Sequence, residues 1–434
     1  MKKLTNQILM YAMILVMAAG CSKGSNDDAK SLLRTVPADA SAVAILDVAR
    51  LVKSVDGKTD GKTIELPSKL EQAISESKAL TDEKKKLVSD ICSGETGVSI
   101  SSIIIFSAAR EYVTGLLNDP DKFIAYMQNI GGGEPLPVVE EDGAKIVGKA
   151  VVIGNQFWTS DKRNPDVEQL KYYQSLTEKQ SFASQDAASL LTEGENTLAY
   201  VADIRKAMTM VDDAKYVRIA TSMMIEDLAY VAGNANLKDK DFKATTRVLN
   251  SEMKPAKMLL PTEKIDASLV KSLNTNGDAF IAVGLPKELT RKISDAVSSA
   301  MGPSLQNISQ PLEQIDGTVA VCTDLGGRGA DARIQTTGKD FSGLSNMLHL
   351  IPGIEVTRDG DVIALKYGNP SYTSTLTSAQ AADKMKGAWM GFVGADLPVK
   401  GMNIVTLLVP DGKSIRLDIN VEGGSDALLT ALLN

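Results

Sequence analysis

The sequence predicts an α+β protein with internally duplicated modules of antiparallel strands and helices, each in the order strand-strand-helix-strand-strand. Three observations lead there. Short runs of alternating apolar residues meet at Asp142-Gly143 and Asp359-Gly360, pairs suited to the positive φ angles of a tight hairpin. Segments with helical apolar spacing precede those hairpins, as at Phe123 with Met127 and Phe341 with Met347. The same order of elements then recurs in the second half of the chain.

The chain of 434 residues opens with Lys2 and Lys3, an apolar run from Ile8 to Ala19, and the small residues Ala18-Ala19-Gly20. That layout predicts an export signal over residues 1–20. A membrane-spanning helix needs roughly 20 apolar residues, so this run is too short to span. Cys21 follows Gly20 directly, as in a bacterial lipoprotein signal. Cleavage between Gly20 and Cys21, with acylation of the Cys21 thiol, is the expectation. Residues 21–31 begin Ser22-Lys23-Gly24-Ser25-Asn26-Asp27-Asp28 and read as a flexible tether, because they hold little large apolar surface to bury.

The first α+β module is expected over residues 32–192. Ala42–Val48 reads as a strand and leads to Leu51 and Val52 on an amphipathic helix. Ser68–Cys92 reads as two helices broken near Leu80-Thr81, with Thr81 as N-cap and Asp82 and Glu83 favourable in the first turn. Val98–Phe106 and Tyr112–Leu117 are paired strands. Asp121 caps the next helix, and Gly154-Asn155 to Trp158-Thr159 follows the hairpin. Residues 193–264 form a middle unit or linker that carries the strand-like Leu198–Ile204. The second module takes residues 265–434: Ala279–Val283, paired strands Thr318–Thr323 and Ala332–Thr336, a helix from Asp340, the Asp359-Gly360 hairpin, then Gly368-Asn369 to Tyr372-Thr373. A hairpin at Asp411-Gly412 and a helix Asp426–Leu433 close the chain.

The formal charge is −7, and removal of residues 1–20 with their two lysines makes it −9. An acidic surface argues against nucleic acid, which needs concentrated positive charge. Cys92 and Cys322 lie in different halves, each in an apolar context, and read as buried free thiols; the alternative is a bridge between the halves.

Recognisable catalytic chemistry is sparse. The single histidine, His349, ends a helix and has no nucleophile beside it in sequence. One histidine and two dispersed cysteines do not make a zinc set, so no metal or cofactor is expected. Ser75–Lys78 and Ser268–Lys271 have the Ser-x-x-Lys spacing but lack the partner motifs of β-lactam-binding enzymes. Gly131–Gly133 follows a helix, and Leu325–Gly329 joins two strands; neither continues as a phosphate loop. Trp158 and Tyr372 occupy matching places in the two repeats, which reads as a structural role; exposed together they would form a stacking platform. With Arg328 at a loop tip they are the candidate ligand contacts.

The lipoprotein signal, the start Val36-Pro37-Ala38-Asp39-Ala40 leading into a strand, and the repeated modules resemble a family of Bacteroidetes envelope lipoproteins of unknown function. The resemblance implies an envelope location and assigns no activity. Ser22 resembles the outer-membrane sorting choice of enteric bacteria, and Asp27-Asp28 resembles a late form of a surface-export tag. Periplasmic face and cell surface both remain open. The expected function is a non-enzymatic, lipid-anchored envelope protein with a protein or glycan partner. The alternatives are a glycan hydrolase working through Asp/Glu pairs and an assembly factor for exported chains.

Overall fold

The computed structural model describes residues 25–77, 80–130, 133–160, 166–193, 196–205, 224–238, 241–273, 276–301, 311–337, 342–396 and 401–422. The expected signal, Cys21, Asp340 and Phe341 at the expected start of the second module's helix, and helix Asp426–Leu433 lie outside them. The protein mixes helices with a large antiparallel sheet. The chain divides into two compact units: Met1–Asp212 with Ala229–Ala244 and Gly424–Asn434, and Asp213–Leu228 with Thr245–Gly423.

In the first unit, helix α1 (Ser25–Leu33) precedes strand β1 (Ala42–Asp47) and helix α2 (Val48–Ser54). Asp47 ends the strand and caps the helix, accepting from the Arg50 amide at 2.9 Å. A short ribbon, β2 (Lys58–Thr59) and β3 (Ile64–Glu65), leads to α3 (Ser68–Glu76) and α4 (Asp82–Cys92). Next come β4 (Val98–Ser107), β5 (Glu111–Leu117) and α5 (Pro120–Asn129). Four short strands follow: β6 (Val138–Glu141), β7 (Ala144–Val147), β8 (Ala150–Ile153) and β9 (Gln156–Ser160). Helices α6 (Val167–Gln174) and α7 (Asp186–Thr192) then lead to β10 (Leu198–Asp203) and β11 (Tyr230–Lys238).

The strand order across this unit is β11-β10-β1-β4-β5-β9-β8-β7-β6, antiparallel throughout. β1 is an interior strand, with Ile45 opposite Ile104 on one side and Ala199 on the other. Val52, Leu70, Ile74 and Val88 of α2–α4 pack on Leu46, Ile100 and Ile103 in one apolar core. Phe123 and Ile124 of α5 pack on Val147, Val152 and Phe157 in another.

The second unit takes up β12 (Asp241–Leu249) from Thr245 onward. It continues with α8 (Ala267–Lys271), β13 (Ala279–Leu285), α9 (Lys287–Met301), β14 (Ile315–Thr323) and β15 (Gly329–Thr336). After these come α10 (Ser342–His349), β16 (Ile354–Asp359), β17 (Val362–Gly368), α11 (Ser378–Met385), β18 (Met390–Ala395), β19 (Asn403–Asp411) and β20 (Ser414–Glu422). The order is β12-β20-β19-β18-β13-β14-β15-β17-β16. Phe280, Ala320, Cys322 and Val393 of the sheet pack on Leu269, Ala381 and Met385.

The structure differs from the sequence expectations in four places. Residues 25–31, expected as tether, are helical, because Ala29, Leu32 and Leu33 are buried on one face. Asp119, not Asp121, caps α5: its carboxylate accepts from the Lys122 amide at 2.9 Å, while Asp121 pairs with Lys145 at 2.8 Å. The two Asp-Gly turns are not equivalent. Asp142 and Gly143 both have positive φ and form the turn themselves, with Glu141 opposite Ala144. Asp359 instead pairs with Val362, so the second turn starts one residue later at Gly360. Finally, Gly154-Asn155 turns between β8 and β9, whereas Gly368 ends β17, so Trp158 and Tyr372 do not occupy matching places.

Candidate functional site

The candidate site is a cleft of about 540 Å³ on the first unit, lined by α1, the 3-10 turns after α6, and α7. Alpha-1 (α1) is amphipathic: Leu32 and Leu33 turn inward, while Lys30 and the following Arg34 stay exposed. The chain leaving α1 is sewn to the facing turns. The Phe182 amide donates to Val36 O at 2.7 Å, and the Ala38 amide to Gln180 O at 2.9 Å. Gln156 in β9 donates to Thr35 Oγ1 at 3.1 Å and to buried Thr114 Oγ1 at 2.8 Å. These bonds fix one wall of the cleft against the sheet.

Lys30 and Arg34 supply two positive charges to the lining, Glu178 and Asp186 two negative ones, with Leu33 and Ala188 as apolar floor. The side chains of these four charged residues make no hydrogen bond or ion pair with one another or with any other described residue. Ser189 and Thr192 donate their hydroxyls to carbonyls of their own helix, Asp186 O at 2.8 Å and Ala188 O at 3.1 Å. Their oxygens therefore remain as acceptors toward the cleft. Charge patterning alone did not reveal this site, since its residues are separated by more than a hundred positions and meet only because α1 docks beside α7. The nearest sequence signal was Lys30 and Arg34, four positions apart.

The residues singled out from sequence lie elsewhere. Trp158 is 0 % exposed, enclosed by Phe106 at 6.2 Å and Tyr173 at 6.4 Å between ring centroids. A fully enclosed ring offers no face to a ligand, so Trp158 has the structural role and not that of a platform residue or ligand contact. Tyr372 is half-buried against the core of the second unit, its hydroxyl bonded to Cys322. Arg328 is exposed at the β14–β15 loop, where its amide donates to Asp324 Oδ1 at 2.7 Å. His349 is exposed, and its Nδ1 donates to Ser345 O at 2.7 Å, within its own helix. Gly20 and Cys21 lie outside the described residues.

Two carboxylates in the second unit repay inspection as acid/base candidates. Asp278 accepts from the amides of Thr373 and Ser374, both at 2.9 Å, and of Leu325 at 3.2 Å. Burial pushes its carboxyl up, but the Ser374, Thr373 and Leu325 amides outweigh burial and hold it below the ordinary 3.8. Asp324 accepts from the Ser371 amide at 3.0 Å and the Arg328 amide; the Ser371 bond is the main reason it too lies below the ordinary value. Both carboxyls are thus fixed as anions that pin loops, and neither is suited to donate a proton. Burial pushes the Cys322 thiol up to about 11, with Asp331 and Asp278 adding to it against the Tyr372 bond. The Cys92 thiol is also pushed up to about 11, by burial and then by Glu71. Both are free thiols, and neither is activated as a nucleophile. Ser268 donates to its capping Asp266 at 2.7 Å and Lys271 pairs with Asp383 at 3.1 Å, so that Ser-x-x-Lys motif has its members engaged separately.

No family model matches the chain, and no curated protein matches it. Among solved structures it is similar to three crystal forms of TP0453. Form III shares 8% identity at a TM-score of 0.29, covering 81% of this chain and 96% of that one. Form IV shares 10% at 0.31, covering 50% and 79%. Form I shares 9% at 0.28, covering 81% and 95%. Superpositions this loose define no common fold.

Proposed function

We propose that this chain is a lipid-anchored, non-enzymatic binding protein of the cell envelope, built from two copies of one α+β module. The observation that carries the reading is the distance in sequence between the expected acylated residue and the cleft. Only Ser22, Lys23 and Gly24 separate Cys21 from the first residue of α1. Even fully extended, that segment spans about 14 Å, so α1 is held close to whatever surface carries the acyl chains. Each buried acyl CH₂ contributes about 0.8 kcal/mol, and a single chain binds only marginally, so stable anchoring needs more than one. A short leash of this kind suits a protein whose binding face works at the membrane surface.

Duplication is supported by the pairing order of the two units. β1 lies between β10 and β4, and β13 between β18 and β14. β5 continues the first series to β9, as β15 continues the second to β17. Helix α5 follows β5 as α10 follows β15, and α7 precedes β10 as α11 precedes β18. A register shift interrupts the second pairing in both, between Val98 and Ile103 and between Ile315 and Val319. On this reading β10 and β11, in the stretch expected as a middle unit, belong to the first copy, and the β7–β8 hairpin is an insertion. Envelope location, on either face of the outer membrane, and a protein or glycan partner complete the proposal.

The test is metabolic labelling with an alkyne fatty acid, followed by detergent phase partition. Wild-type protein is expected to take the label and enter the detergent phase, and Cys21→Ala to do neither. An unlabelled wild type would sink the anchor. Gentle cross-linking and pull-down of the anchored protein, with no envelope component recovered, would sink the binding role.

A further inference from the structure

Some exposed charges elsewhere on the first unit close on one another, as in Lys145–Asp121 at 2.8 Å and Lys122–Glu95 at 3.3 Å. In the cleft they do not. Lys30, Arg34, Glu178 and Asp186 face one volume of about 540 Å³, and their side chains find no partner among the described residues. The volume falls within the roughly 300–1,000 Å³ of small-ligand sites. A simple anion entering it would be attracted by Lys30 and Arg34 and repelled by Glu178 and Asp186. A simple cation would meet the reverse. A ligand that carries both signs is attracted by all four. Lys30 lies in the last turn of α1 and Arg34 just beyond its end, and the guanidinium fork of Arg34 matches two oxygens of a phosphate.

We infer that the cleft between α1 and α7 binds a phosphoethanolamine group, its phosphate on Lys30 and Arg34 and its ammonium toward Glu178 and Asp186. The inference rests on the anchored reading for one point, that the cleft stands within reach of a membrane surface. Lys30 lies five residues into α1, about 7.5 Å of axial rise beyond Ser25. Phosphoethanolamine reaches such a site either as the headgroup of a phospholipid or as a substituent free of diacylglycerol. The recognition chemistry is shared.

The experiment uses the full acylated chain in a sugar-headed detergent, which contributes neither phosphate nor ammonium. Isothermal titration compares phosphoethanolamine, inorganic phosphate, ethanolamine, the dipeptide Ala-Ala, and the dihexanoyl forms of phosphatidylethanolamine and phosphatidylglycerol. Phosphoethanolamine is expected to bind at least about tenfold tighter than phosphate or ethanolamine, since each half-ligand forfeits one charged pair. Dihexanoyl-phosphatidylethanolamine binding as tightly as phosphoethanolamine assigns the ligand to a lipid. Binding of the free group alone assigns it to a soluble or glycan-borne one. Arg34→Gln is expected to weaken binding about tenfold, and Asp186→Asn to erase the preference over phosphate. Both residues are exposed, and circular dichroism checks that the fold is kept. Equal affinity for phosphate, tighter binding of Ala-Ala or of the phosphatidylglycerol form, or indifference to both substitutions would overturn the assignment. Acylation is read on the same preparation by its label. A labelled protein that ignores phosphoethanolamine sinks the cleft assignment alone. An unlabelled protein that binds it sinks the anchor alone.

Discussion

Asp278 is 2 % exposed, and its carboxylate ties two loops to the end of β13: Leu325 from one, Thr373 and Ser374 from the other. Its folded pKa lies below the ordinary 3.8. A carboxyl whose pKa is depressed on folding stabilises fully above its unfolded value and loses that contribution as pH falls toward the folded one. Urea unfolding followed from pH 7 down through pH 4 and below should show wild-type stability falling in the acid range. Asp278→Asn should be less stable at pH 7 and flatter with pH, because its amide cannot accept three amides on an anion. A variant with the wild-type acid slope would show the carboxylate to be idle. None of this was legible in the sequence. Asp278 stands in no motif, and its three amide donors lie 47, 95 and 96 residues away. Trp158 shows the converse limit. An aromatic residue near a hairpin looks the same in sequence whether its ring faces water or, as with Trp158, a closed aromatic cluster.

The elements themselves were largely readable. Short apolar or alternating runs bounded by polar and turn residues marked β1, β4, β5, β13, β14 and β15 near their observed limits. The break between α3 and α4 and the α5 pattern also followed from helical spacing. Turn register did not. Asp-Gly predicts a positive φ, but whether aspartate enters the turn or ends the strand depends on which neighbour the strand must face. At Gly143, φ is +78° and a Cβ would meet nothing within 4 Å, so only backbone strain opposes a side chain. Gly143→Ala should cost about 1 kcal/mol. At Gly284 a Cβ would lie 2.1 Å from the Glu263 carbonyl oxygen, where backbone meets backbone. Gly284→Ala should cost clearly more than Gly143→Ala in the same urea titration. The reverse ranking would contradict the packing of residue 263 against β13.

At the scale of the molecule, each unit carries apolar cores of its own. Trp158→Ala opens a cavity in the first unit and should cost about 3–5 kcal/mol there. Hydrogen exchange is the decisive measurement. Amides of β4, β5 and β9 should exchange faster in the variant, while those of β14 and β15 keep their protection. Loss of protection at β14 and β15 as well would mean that the units unfold as one. The sequence alone determined many of the strands, several of the helices, the Asp-Gly turns and the acidic balance. Those are properties of local periodicity, composition and short spacing, which a linear chain displays directly. Only the tertiary structure decided that α1 is docked rather than loose, that Trp158 is enclosed, and that Lys30, Arg34, Glu178 and Asp186 share one cleft. Each of these depends on which distant segments bury one another's apolar faces. That choice is made by packing across the sheet and leaves no mark at any single position.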